Sequence, residues 1–191
     1  MKKLKGKIIA VSAPSGAGKT TIVKRMLKLF PEIIFSVSAT TRAKRPGEIN
    51  GKDYFFISED EFKEKIKNNE FIEWERFYDY YYGTYKYFID EITEQNKTII
   101  LEVDVKGALQ LKKIYPAAKL IFIYPPSSQE LINRLKNRKT ESAADFTKRV
   151  KRAKMELSLK DKFDYFVENN DLEKAILETK KIIKNILTEK N

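Results

Sequence analysis

The chain contains no cysteine and no histidine. The first absence excludes disulfides and thiolate metal sites, and the second removes the commonest metal ligand and the commonest general base. Chemistry here must rest on charge placement, hydroxyls and carboxylates. Long apolar runs are missing as well. None approaches the ~20 residues needed to span a bilayer, and the basic start Met-Lys-Lys-Leu-Lys-Gly-Lys leads into a strand only a few residues long. A soluble cytoplasmic protein without a membrane partner is expected. Arginine is scarce too, with 8 residues against 30 lysines.

With 191 residues, 42% of them apolar, the chain suits one domain of α/β size. Its net charge of +11 raises the question of nucleic acid, because a basic protein gains affinity by releasing counterions from phosphates. Most lysines, however, fall on solvated helix faces, such as Lys63, Lys65 and Lys67 or Lys180, Lys181 and Lys184. No nucleic-acid motif accompanies them, and no such partner is expected. The few arginines are more informative, since guanidinium grips phosphate bidentately where ammonium cannot.

The chain is organised around residues 8–21. Ile8 to Val11 are continuous and mostly β-branched, as in a parallel strand buried on both faces. Ser12 to Gly18 are small and turn-prone, and Ile22, Val23, Met26, Leu27 and Phe30 recur at helical spacing. This strand, loop and helix suit a phosphate chain. The loop glycines let successive N–H groups point into one concavity, Lys19 reaches the outer phosphates, and the Thr20 hydroxyl can ligate magnesium. Ala13 stands where the pattern G-x-x-x-x-G-K-[ST] begins with glycine, while Gly16 and Gly18 are kept.

Further along, Ile33 to Ser38 is expected as a strand and leads into a loop carrying Arg42 and Arg45. Asn50-Gly51 followed by Tyr54 to Ile57 suggests a small hairpin over 48–57. Ser58-Glu59-Asp60-Glu61 is a capping box opening a helix. Phe71 to Phe77 and the tyrosine-rich segment ending at Tyr82-Gly83-Thr84 suggest strands of the same small sheet. Helices over 86–95 and 107–114 then alternate with buried strands at 98–104 and 120–124. Pro125-Pro126 stops the latter, and helices to Arg138 and over 143–159 follow. A short strand at 165–167 and a C-terminal helix capped at 169–171 complete a parallel, doubly wound sheet.

Taken together, Ser12-Ala13-Pro14-Ser15-Gly16-Ala17-Gly18-Lys19-Thr20, the run Ser38 to Glu48, Asn50 to Tyr54, Phe71-Ile72-Glu73-Trp74, Tyr81 to Thr84, Pro125-Pro126-Ser127 and Lys148-Arg149 resemble the guanylate kinases. The likeness covers roughly residues 6–186. It implies a P-loop three-layer α/β/α fold with a parallel central sheet. The core would be residues 1–36, 87–124 and 160–191, with a small mixed α/β GMP-binding insertion at 37–86 and a helical lid at 125–159.

The activity implied is phosphoryl transfer from ATP to GMP, with magnesium accompanying ATP. The implied ATP contacts are Ala13, Pro14, Ser15, Gly16, Ala17, Gly18, Lys19, Thr20, Thr21 and Asn169, with Thr20 on the metal. Ser38, Arg42, Arg45, Tyr54 and Tyr82 would hold the GMP phosphate, and Glu73, Thr84 and Asp104 would face the guanine. Lys19, Arg45, Arg134, Arg138 and Arg149 would surround the transferred charge. Asp104 carries over more firmly than Glu102, and one of that pair is expected to be structural. Lys139 and Lys106 depart from the family's usual Gly and Gln. Two other functions compete: a P-loop kinase with a different small acceptor, against which Glu73 and Thr84 argue, and a non-catalytic guanylate-kinase-like domain, against which Lys19-Thr20 argues. Monomer and homo-oligomer are left open.

Overall fold

The computed structural model describes residues 6–77, 79–136 and 143–189. Its centre is a five-stranded, wholly parallel sheet built from Ile8–Ser12 (β1), Ile34–Phe35 (β2), Ile99–Glu102 (β7), Lys119–Tyr124 (β8) and Tyr165–Glu168 (β9), in the order β2-β7-β1-β8-β9. Alternation along each strand divides the core into two layers. Ile8 and Ala10, Ile99 and Leu101, and Leu120 and Phe122 face one side, against Lys86–Glu94 (α3) and Val105–Ile114 (α4). Ile9 and Val11, Ile100, and Ile121 and Ile123 face the other, against Lys19–Leu29 (α1) and Leu172–Thr188 (α7). Both faces are covered, so these strands read as continuous apolar runs.

A second sheet orders Phe55–Phe56 (β4), Ala39–Thr40 (β3), Tyr80–Tyr85 (β6) and Phe71–Phe77 (β5). It packs on Glu59–Lys67 (α2) through the fully buried Phe62, which stacks on Phe71 with ring centroids 4.4 Å apart. The Ser58 cap forms as expected, its hydroxyl accepting from the Glu61 N–H at 3.1 Å. The expected hairpin over 48–57 does not form. Instead β4 pairs in parallel with β3, and the preceding turn is closed by side chains. Asp53 Oδ2 accepts from the Ile49 N–H at 2.8 Å and Asn50 Oδ1 from the Phe56 N–H at 2.9 Å. Local side-chain acceptors thus take the donors that a hairpin ladder would have used. The strand expected over 33–38 is also shorter, being confined to β2.

Ser128–Lys136 (α5) and Ala143–Leu157 (α6) pack on each other through Leu131, Leu135 and Ala153. Arg138 and Lys139 lie outside the described residues. Among the described residues, no helix is long and apolar enough to cross a membrane.

Candidate active site

A cleft of about 380 Å³ opens where the two sheets and α6 meet. Its lining includes the whole loop Ala13–Thr21 on one side, Ser38, Tyr54, Glu73, Glu75 and Tyr82 on the other, and Glu102, Val103 and Asp104 between them. Arg149, Arg152 and Glu156 come from α6. Most of the expected nucleotide contacts therefore converge on one space. The cause is topological: the phosphate loop and the end of β7 both sit at the carboxyl edge of the parallel sheet, where open α/β sheets form their crevices.

The phosphate loop is held from behind. Gly18 adopts φ +89°, and a Cβ there would overlap the amide of Asn169. Asn169 is buried, and its Nδ2 donates to the Ala17 carbonyl at 2.7 Å while its own carbonyl accepts from Arg134 Nη2 at 2.9 Å. Asn169 and Arg134, both expected at the nucleotide, thus brace the loop and do not line the cleft. Gly18→Ala is expected to raise the KM for ATP at least about tenfold, equivalent to ~1.4 kcal/mol. A left-handed Cβ costs roughly 1–2 kcal/mol on its own, before Asn169 is displaced. Steady-state kinetics with a thermal melt checks this, and an unchanged KM for ATP would contradict it.

Lys19 Nζ donates to the Val103 carbonyl at 2.8 Å, and the Thr20 hydroxyl donates to Glu102 Oε1. Glu102, the less favoured of the acidic pair, is therefore the carboxylate at the phosphate loop. Asp104 instead caps α4, its Oδ1 accepting from the Gly107 N–H at 2.7 Å. Both line the cleft because β7 ends at Glu102 and the chain turns into the helix.

Glu73 lies on β5, and its Oε1 accepts from the Thr84 hydroxyl across the strand pair at 2.6 Å. Gly107 makes room for it, since a Cβ there would stand 3.0 Å from both Glu73 Cγ and Cδ. Burial pushes the Glu73 carboxyl up to about 7. The Thr84 hydrogen bond opposes this shift, and the Asp104 and Glu75 charges add to it. Thr84 has one hydroxyl proton, used here toward Glu73, so a contact from it to a ligand carbonyl requires that proton to turn.

Arg42 is buried, with its guanidinium 5.5 Å from the Tyr54 ring centroid, and it donates to Glu48 Oε2 and Oε1 at 3.0 and 2.7 Å. This fork holds the Glu48 carboxyl below the usual carboxylate range. Arg45 is exposed and outside the cleft, and its backbone N–H donates to Glu48 Oε2 at 2.7 Å. Of the expected phosphate-binding set, Ser38, Tyr54 and Tyr82 line the cleft directly, while Arg42 stands behind Tyr54.

Sequence reasoning missed Glu75, Arg152 and Glu156. Arg152 donates to Glu75, to Asp104 and to Glu156, so one guanidinium joins three carboxylates. The signals were present. Glu73 and Glu75 alternate on a strand and so share a face, Arg149 and Arg152 share a helix face, and Arg152 and Glu156 are spaced for an i,i+4 pair.

Comparison with known proteins agrees with this geometry. A family model described as guanylate kinase matches residues 5–186. A guanylate kinase from Caldanaerobacter subterraneus subsp. tengcongensis is 45% identical over 181 residues, covering 95% of this chain and 88% of the relative. One from Thermotoga maritima is 45% identical, covering 91% of this chain and 84% of the relative. A crystal structure of guanylate kinase from Anaplasma phagocytophilum superposes with a TM-score of 0.77 at 30% identity, covering 99% of this chain and 90% of that one. With the phosphate loop, the Glu73–Thr84 pair and the end of β7 around one cleft, and with that likeness running through nearly its whole length, the chain belongs to the guanylate kinase family.

Proposed function

We propose the following division of labour for the transfer of a phosphoryl group from ATP to GMP, which is the reaction of this guanylate kinase. ATP phosphates lie in the loop Ala13–Thr21 against Lys19, and Arg149 faces them from α6. Arg134, Arg138 and Arg45 complete the positive surround as residues 37–86 and 125–159 close on the core made of 1–36, 87–124 and 160–191. The GMP phosphate is held by Ser38, Tyr54 and Tyr82 with Arg42 and Arg45. Guanine N1–H and N2–H₂ donate to Glu73, Thr84 turns its hydroxyl to O6, and Asp104 lines the same edge.

The observation that carries this reading is the placement of Glu73, a carboxylate with a hydroxyl partner, across one cleft from a phosphate loop. Thr20 and Glu102 fit a magnesium ion, because a hydroxyl and a carboxylate already in contact are the hard oxygen donors this cation takes beside phosphate oxygens. Bound there, it would neutralise charge on the transferring phosphoryl group. An oxygen of the GMP phosphate is itself the nucleophile, so the chain needs no general base. That suits a protein without histidine. Closure excludes water that would otherwise accept the phosphoryl group. The cytoplasm and purine nucleotide metabolism are the setting proposed for it.

Glu73 supplies the test. Free Glu73 titrates near 7, and guanine needs its ionised form, so GMP binding at pH 6.5 should release a proton from it. Affinity for GMP should fall as pH drops from 8 to 6. The GMP phosphate also ionises near pH 6, so calorimetry in two buffers of different ionisation enthalpy is compared between wild type and Glu73→Gln. Wild type should release most of one proton more than the variant. Equal release would mean that Glu73 does not meet the base as a carboxylate.

A further inference from the structure

Arg152 sits at the junction of three elements. Its Nη1 and Nη2 donate to Glu75 Oε1 and Oε2 at 2.8 and 2.7 Å, Nη2 also donates to Asp104 Oδ2 at 2.7 Å, and Nε donates to Glu156 Oε1 at 2.9 Å. Glu75 lies two residues from Glu73 on the same face of β5. Asp104 caps the helix whose first turn packs on Glu73 through Gly107. Arg152 itself belongs to α6. A planar fork can satisfy several carboxylates at fixed angles in a way that an ammonium cannot.

Arg152 also sits among an excess of acidic groups. The charged groups lining the cleft are Glu73 and Glu75 from β5, Glu102 at the end of β7, Asp104 from the head of α4, Arg149, Arg152 and Glu156 from α6, and Lys19 from the start of α1. Five are acidic and three are basic. Lys19 and Arg149 are the two assigned to phosphates, which leaves Arg152 to balance the acids around the base-reading carboxylate. Burial pushes the Glu75 and Glu156 carboxyls up, and hydrogen bonds from Arg152 oppose both shifts.

We infer that Arg152 is a positioning residue for guanine recognition: by joining Glu75, Asp104 and Glu156 it fixes β5 and the head of α4 around Glu73 and ties α6 to the base-reading wall. The inference rests on Glu73 reading the base. Removing Arg152 frees Glu75 and Asp104 beside Glu73, where their charges oppose its ionisation, and releases the strand that aims it. GMP recognition then weakens, most of all at low pH. AMP, which makes no bond to an ionised Glu73, should respond little.

The full chain and its variants Arg152→Gln, Arg152→Lys and Arg152→Gln with Glu75→Gln are compared by kcat and KM for GMP and AMP at pH 6.5 and 8.0, with saturating ATP. Arg152→Gln should raise the KM for GMP about tenfold at pH 8.0. The ratio to wild type should be several-fold larger at pH 6.5, because each unit added to the Glu73 pKa costs about tenfold below it. Titration of the GMP phosphate is common to both proteins and cancels in that ratio. Arg152→Lys should fall between the two, and Glu75→Gln should restore part of what Arg152→Gln loses. If Arg152→Gln fails to fold, Arg152→Lys carries the same comparison. A KM for GMP within about twofold of wild type at both pH values would overturn the inference. So would equal losses for GMP and AMP, which mark a bridge that only stabilises the fold. Measured beside them, Glu73→Gln separates the two levels. If it leaves the GMP-to-AMP ratio unchanged, the base reading itself fails, whereas if it narrows the ratio and Arg152→Gln does nothing, only the role of Arg152 is lost.

Discussion

Lys19→Ala is expected to remove nearly all phosphoryl transfer while leaving the protein folded. The Lys19 ammonium stands at the start of α1, partly exposed in the cleft, and donates to the Val103 carbonyl at 2.8 Å. When ATP enters, that neutral acceptor should give way to phosphate oxygens, whose charge adds a Coulomb attraction to the ammonium that a carbonyl lacks. The gain grows as charge shifts toward the transferring group, so its loss falls chiefly on kcat. Removing one preorganised donor of this kind costs about 10²–10³ in rate. The fold should survive, because Lys19 is not part of either apolar core layer and Val103 lines the cleft, where its carbonyl can take a water molecule. Single-turnover transfer and thermal melting, measured on the same preparation, check both halves. Turnover near that of wild type in a folded variant would mean that the loop does not act on ATP.

Glu73→Gln is the second large effect, and its size follows from what the substitution leaves in place. The shape is kept, but one acceptor oxygen becomes an NH₂ that faces a guanine donor, and the charge is gone. A charge-assisted hydrogen bond of this kind is worth on the order of 1.5–3 kcal/mol, or roughly ten- to a hundred-fold in kcat/KM for GMP. The penalty should shrink toward pH 6, where wild-type Glu73, titrating near 7, is itself becoming neutral. Stability should move the other way. A carboxyl whose folded pKa is raised above its unfolded value favours the protonated form on folding, so the folded state loses stability as pH rises from about 4.5 to about 7. Glu73→Gln abolishes that loss, and its melting temperature at pH 8 should exceed that of wild type. Lower activity with higher stability in one variant is the mark of a carboxylate kept in place for binding.

Much of the architecture was legible in the sequence because its strongest signals are local. Ile8 to Val11 and Leu120 to Ile123 are buried on both faces of a parallel sheet, and a continuous β-branched or aliphatic run has few other uses. The Ser58 cap and the phosphate loop are likewise written in adjacent residues. The segment 48–57 misled because Asn50-Gly51 is a strong hairpin signal, whereas Asp53 and Asn50 close the turn with their own side chains and hand Phe55 to β3. The site was legible by residue type and less so by role. The resemblance placed Asn169 and Arg134 near the nucleotide, but it could not tell that they hold the loop from behind. Nor could it tell that β7 would end at Glu102 and leave Asp104 as a helix cap. The link from Arg152 to Glu75 spans 77 residues, a separation at which periodicity carries no information.

The proposed role of Glu73 is to make this cleft select guanine as the base of the phosphoryl acceptor. The most direct measurement is kcat/KM for GMP and for AMP, at pH 8 and with the same saturating ATP, for wild type and Glu73→Gln in parallel. Wild type should prefer GMP strongly, and the variant should narrow that preference by roughly ten- to a hundred-fold, through loss with GMP rather than gain with AMP, while the KM for ATP stays unchanged. A GMP-to-AMP ratio that is the same in both proteins would show that Glu73 does not read the base and would place guanine recognition elsewhere.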